Sequence, residues 1–291
     1  MREPAGLLAR RPGNASIALA RSMPLPPPMD ADDLRELAEA KRLLEVPGLA
    51  ARLTSALGAP VEKGIELLPA SWKARIQRAT RRALERALAA ALRSLGDSKR
   101  HRRPSNRLHR LAAGASGAAG GALGLASLLV ELPVSTVIML RSIADIARSE
   151  GEDLSRLDAR LACLEVFALG GRSSGDDAAE TGYFAVRAAL GRAVSEAVGF
   201  IGERGVMKEG APVLVRFLAV VAERFGVVVS EKAAASLVPV IGAFGGATVN
   251  VIFIDHFQGV ARGHFIVRRL ERKHGEVAVR AAFEGLAAHQ R

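Results

Sequence analysis

Apolar positions recur along most of this chain at the three-to-four-residue spacing of a helix, and strand-type alternation is hard to find. The clearest case is SWKARIQRATRRALERALAAALRSL, Ser71 to Leu95. There Trp72, Ile76, Ala79, Ala83, Leu84, Ala87, Leu88, Ala91, Leu92 and Leu95 share one side, and most of the arginines take the other. Upstream, ADDLRELAEAKRLLEV predicts a helix capped by Asp32 or Asp33 and stopped by Pro47-Gly48. Leu49–Leu57 and Val61–Leu68 read as short helical pieces separated by Gly58-Ala59-Pro60. Downstream, helices are predicted over DLSRLDARLACLEVFALGG, Asp177–Ile201, Pro212–Phe225 and Ser230–Val238. A last long one runs from Pro239 towards Lys273 with Gly275 as its stop, and EVAVRAAFEGLAAH follows. The pattern therefore predicts an all-α fold, a multi-helix bundle.

Two uncharged stretches stand at the centre of this pattern. Leu111–Val130 carries Gly117, Gly120, Gly121 and Gly124, and Ala233–Ile254 carries Gly242 and Gly246. Glycines four apart let helix backbones approach closely, in a membrane or inside a soluble bundle. Lack of charge over about 20 residues suits membrane contact, whereas the modest hydrophobicity of Ala and Gly suits burial, and core is the preferred reading. Pro133 is expected to break the first stretch and to begin a second helix ending at Gly151. On that helix Glu131, Ser135, Ser142 and Asp145 fall on one polar stripe, and Arg141 is placed to pair with Asp145 four residues on.

Residues 1–33 are expected to be a disordered extension, because the Pro24–Pro28 run excludes a helix and no apolar core of signal-peptide length is present. Translation could start at Met1, Met23 or Met29. Residues 34–291 then form a single helical domain, with the hydrophilic GGRSSGDDAAETG as its clearest internal boundary.

Composition adds one fact about partners. Hydrophobic residues make up 49% of the chain and aromatics only 4%, which suits helices packed through small side chains. The net charge of +11 comes from one region: thirteen Lys and Arg between Trp72 and Arg110 face two carboxylates, Glu85 and Asp97. Trp72, Lys73, Arg75, Arg78, Arg81, Arg82, Arg86, Arg100, Arg102 and Arg103 are therefore the candidate anion-binding residues. A basic amphipathic helix with a Leu/Ala/Trp face fits an anionic membrane surface. The plain alternative is a core helix whose polar side uses arginine. Nucleic acid fits less well, since Trp72 is the only aromatic there.

Candidate chemistry is sparse. Cys163 is the only cysteine, which excludes an intrachain disulfide, suits a reducing compartment and reads as a small core residue. Glu131, Arg141, Asp145, Asn250 and Asp255 are expected to be buried polar groups that need partners. Glu131, Asp145 and His256 are the weak candidates for a catalytic pocket of hydrolase type. No HExxH, CxxC, GxSxG or phosphate-loop motif occurs, so no metal and no cofactor is expected.

The glycine pairs, then ELPVSTVIMLRSIADIARSEGEDL (Glu131–Leu154), RLACLEVFALGG (Arg160–Gly171) and VPVIGAFGGATVNVIFIDHFQGVARGHFIVRRLERKHG (Val238–Gly275), resemble the bacterial EcsC protein family from about Leu67 to Gly275. That family takes its name from a member encoded beside an ABC transporter implicated in secretion and protein processing. The resemblance implies a helical bacterial protein associated with membrane processes, and it carries no catalytic motif across. The combined expectation is a non-enzymatic cytoplasmic protein, peripheral to the inner membrane. Its partners would be an anionic lipid surface, a membrane protein complex or a second copy of itself.

Overall fold

The protein is described by a computed structural model, which covers residues 27–45, 48–58, 60–66, 68–96, 125–171, 182–204, 212–236 and 243–286. Among these residues there are ten helices and no strand: α1 (Ala31–Leu44), α2 (Leu49–Leu57), α3 (Val61–Glu66), α4 (Ala70–Ser94), α5 (Leu125–Ser149), α6 (Leu157–Leu169), α7 (Gly182–Arg204), α8 (Pro212–Ala235), α9 (Ala243–His274) and α10 (Glu276–Gly285). The all-α expectation holds.

The apolar stripe that defines α4 is the side it buries, with Ile76, Ala83, Leu84, Ala87 and Ala91 at the core against α5 and α8. Its C-terminal carbonyls are covered by two arginines from elsewhere. Arg160 donates to Leu92 O at 3.0 Å and Arg148 to Leu95 O at 3.0 Å, placing cations at the negative end of the helix dipole. α6 has no polar face of its own, and eight consecutive positions, Leu161 to Ala168, are buried within it. It is the innermost helix, in contact with α4, α5, α7, α8 and α9.

Two hydrophobic clusters result. The larger is built from α2 to α9 and contains the rings of Phe167, Phe217, Phe225, Phe253, Phe257 and Phe265. The smaller joins Leu37 and Ala40 of α1 to Ile266, Val267 and Leu270 of α9 and to Val279 and Phe283 of α10. The 32-residue α9, about 48 Å long at 1.5 Å per residue, runs through both.

Three expectations need correction. Pro133 does not open a helix but lies inside α5. The missing N–H costs one backbone bond, and the helix continues because Leu128 and Leu132 are buried on its packed side. The Ser135 and Thr136 hydroxyls meanwhile donate to Leu132 O. The predicted gap between Phe225 and Ser230 closes into one helix, α8, because Val228, Val229 and Phe225 are all core residues and Gly226 meets nothing that would break the turn. The N-terminal extension ends earlier than residue 33. Asp30 caps α1 by accepting from the backbone N–H of Asp32 and Asp33, and Pro27 O accepts from His274 Nδ1 at 2.6 Å. Residues 1–26, the 172–181 segment and 97–124, where the glycine-rich helix was expected, lie outside the described residues. Ala233–Ala235, Val249, Phe253 and Ile254 of the second uncharged stretch are buried in protein.

Candidate functional site

The most strongly charged described surface is the outer side of α4. Lys73, Arg75, Arg78, Arg81, Arg82, Arg86 and Arg93 are all exposed, and Glu85, which pairs with Arg81 at 3.3 Å, is the one carboxylate among them. At 100° per residue Arg75, Arg78, Arg82, Arg86 and Arg93 fall within about 80° of one another. Trp72 is half-buried against the large cluster, with the Arg75 guanidinium stacked 5.1 Å from its ring centre. The Leu/Ala side expected to enter a bilayer is consumed by the core. What α4 offers is charge. Arg100, Arg102 and Arg103 lie outside the described residues.

Of the polar residues singled out from sequence, Glu131 and Asn250 are brought together. Glu131 accepts from Asn250 Nδ2 at 2.6 Å and from Lys232 Nζ at 3.3 Å, joining α5, α8 and α9. Lys232 is buried, and its ammonium lies 4.7 Å from the Phe253 ring centre. Burial pushes its pKa down, and the Glu131 charge opposes that. Asp145 pairs with Arg148 at 3.0 Å, not with Arg141, which is exposed and so is not the buried polar group expected. The i+3 partner wins because Arg148 lies on the packed side, where it also reaches Leu95 O. Ser142 Oγ accepts from Gln258 at 2.8 Å. His256 donates Nε2–H to Gly170 O at 2.8 Å, and Asp255 beside it is half-buried. Glu131, Asp145 and His256 therefore do not converge, and the hydrolase-like pocket drawn from them does not form. Cys163 is a core residue whose Sγ donates to Ala159 O, and burial pushes its thiol pKa up.

Of the packing glycines, Gly117, Gly120, Gly121, Gly124 and Gly242 lie outside the described residues, as do the surroundings of Gly246 in α9. Close approaches occur instead at Gly171, where a Cβ would lie 2.2 Å from Arg224 O, and at Gly263, where it would lie 2.9 Å from Ala40 O.

A second polar centre was not anticipated. Glu165 of α6 and His264 of α9 are both buried, with Oε2 and Nε2 3.9 Å apart. Tyr183 Oη lies 2.9 Å from His264 Nδ1. Beside them a cleft of about 170 Å³ is lined by Arg187, Arg268, Glu271, Arg272 and Glu276. Its arginines are engaged: Arg187 by Glu271 at 2.6 and 2.5 Å, Arg268 by Glu152 at 2.8 and 3.2 Å, and Arg272 by Glu152. The sequence signal for this centre was Glu165 itself, a lone carboxylate in LACLEVFALGG. Among the described residues no group of His, Cys, Asp and Glu could hold a metal ion, and no helix is long and apolar enough to cross a membrane.

These helices account for nearly all of a family match that spans residues 31–270. The chain belongs to the EcsC protein family. The match starts at the first residue of α1 and ends with Leu270 of α9, so the α1–α9 pairing belongs to the EcsC unit, and α10 follows it. Comparison of this EcsC chain with the curated proteins and with the solved structures finds no match.

Proposed function

We propose that this EcsC-family protein is a non-enzymatic docking protein that lies on an anionic membrane surface and contacts the headgroups through the outer face of α4. The observation that carries the reading is the row Arg75, Arg78, Arg82, Arg86 and Arg93, exposed on a helix whose apolar side is already buried. Such a face has nothing to insert, so attraction is electrostatic, roughly 1 kcal/mol for each Lys or Arg close to an anionic leaflet. Binding of this kind is reversible and sensitive to salt. A peripheral position on the cytoplasmic side of the inner membrane, as an accessory to a transporter or to secretion and processing, is the role this reading gives the protein.

The test is sedimentation of the full chain with vesicles. Binding is expected to vesicles rich in phosphatidylglycerol at 50 mM salt, to weaken by 300 mM, and to be missing with pure phosphatidylcholine. Charge reversal at Arg78→Glu, Arg82→Glu and Arg86→Glu together should weaken binding at least about 100-fold, from three contacts of roughly 1 kcal/mol each. These exposed sites leave the core intact. Equal recovery in the supernatant with and without anionic vesicles at low salt overturns the reading, as does a triple variant that binds like the wild type.

A further inference from the structure

The buried centre beneath the arginine cleft has a hydrogen-bond order that the donors and acceptors fix. An ionised Glu165 carboxylate carries acceptors only, and its Oε2 faces His264 Nε2, which favours a hydrogen on Nε2. The Tyr183 hydroxyl hydrogen then has His264 Nδ1, 2.9 Å away, as its acceptor. A neutral His264 whose Nδ1 accepts must carry its own hydrogen on Nε2. Nε2 is fully buried, has no hydrogen-bond partner, and points towards Glu165 Oε2 across 3.9 Å. That separation is too long for a hydrogen bond. Two buried, mutually facing groups are therefore held just out of contact, with a titratable proton to be shared between them.

We propose that Glu165 and His264 form a buried proton-binding site whose occupancy sets how firmly the first turn of α7 is held on α9. With Glu165 ionised, the order runs Tyr183 to His264, whose Nε2–H is directed at the Glu165 carboxylate across the 3.9 Å gap. When Glu165 takes up a proton, its O–H becomes a donor facing Nε2. His264 then moves its own hydrogen to Nδ1 and accepts at Nε2. The Tyr183 oxygen now accepts from Nδ1–H, and its hydroxyl hydrogen loses its acceptor. One proton is gained, no charge is left on His264, and the Tyr183–His264 bond is weakened. Tyr183 packs on the smaller cluster, with its ring stacked on Phe283 at 5.9 Å and beside Phe184 at 4.9 Å.

The surroundings favour titration near neutrality. Burial pushes the Glu165 carboxyl up to about 7, against the pull of Arg268 and Arg187. Burial, with the same two arginines, holds His264 well below its ordinary value, so it remains neutral. The other charged or titratable groups around the centre are Glu271 opposite Arg187, Glu152 opposite Arg268, and Cys163 with Arg148 on the far side of α6. Arg224 of α8 is turned to Ala168 O instead.

Because the folded chain keeps a proton that the unfolded chain releases near 4.5, Glu165 lowers the folding equilibrium constant as pH rises between about 4.5 and 7. Two measurements on the full chain test the proposal. The urea midpoint from pH 5 to pH 8 should fall more steeply for the wild type than for Glu165→Gln, the difference reaching up to about tenfold in folding constant per pH unit. Nitrogen-15 spectra of the wild-type imidazoles should show His264 neutral throughout, Nδ1–H below pH 6 and Nε2–H above pH 8, with a midpoint near 7. In Glu165→Gln it should stay Nε2–H. Parallel midpoints for the two proteins overturn the proposal. So does a wild-type His264 that keeps one tautomer across this range or becomes an imidazolium, and this second readout stands even if the variant fails to fold.

Discussion

Single residues decide where this bundle can tolerate change. A Cβ on Gly171 would meet the carbonyl oxygen of Arg224 at 2.2 Å and its carbon at 2.6 Å, and backbone cannot rotate away as a side chain can. Gly171→Ala should cost about 2 kcal/mol or more, read from urea unfolding. Gly191→Ala and Gly226→Ala, on helices where nothing lies within 4 Å, should stabilise by up to about 1 kcal/mol each. The buried pair Lys232–Glu131 behaves differently from both. Lys232→Met leaves Glu131 hydrogen-bonded to Asn250 but without the cation that balances its charge, so a loss of about 3–5 kcal/mol is expected. Adding Glu131→Gln should recover most of it, and a double-mutant cycle measures the coupling. Sequence could flag Glu131 and Asn250, because a polar group in an apolar run must find a partner. It could not pair them, since Asn250 and Lys232 lie 119 and 101 residues along the chain from Glu131. Tyr183, His264 and Glu165 were hidden for the same reason.

Among elements, α4 was the most legible, because a stripe of ten apolar residues and a row of arginines repeat at one period. Its partner face was not legible: the same pattern suits a bilayer or a core, and only the packing of Ile76, Leu84 and Ala87 against α5 and α8 distinguishes them. Pro133 misled in the other direction, since its local cost is smaller than the burial of the turns around it. The pairing of α1 with α9 rests on a latch of charge. Asp33, buried, accepts from Lys273 at 2.8 and 2.9 Å and from His274 at 2.8 Å. The Lys273 hydrogen bond, followed by that of His274 and by the Asp30 N–H, holds its carboxyl below the usual 3.8, against burial. A depressed carboxylate stabilises the fold above that value, and the contribution is lost as pH falls through the lowered one. Amides of α1 should therefore exchange faster below about pH 4 than those of α6, and Asp33→Asn should lose that acid-dependent step. Hydrogen exchange followed by mass spectrometry reads both.

At the scale of the molecule, the two hydrophobic clusters share α9 and little else, and each holds one natural reporter. The chain has a single tryptophan and a single tyrosine. Trp72 packs on the larger cluster and Tyr183 on the smaller. A stiff rod about 48 Å long common to both transmits the loss of one cluster to the other. The two emission signals should accordingly decay together in a denaturant titration, as a single cooperative transition. If tyrosine emission changes first, the α1–α10 end peels away as a separate unit. Unlabelled protein in a cuvette is thus enough to learn whether this rod makes one cooperative body or joins two.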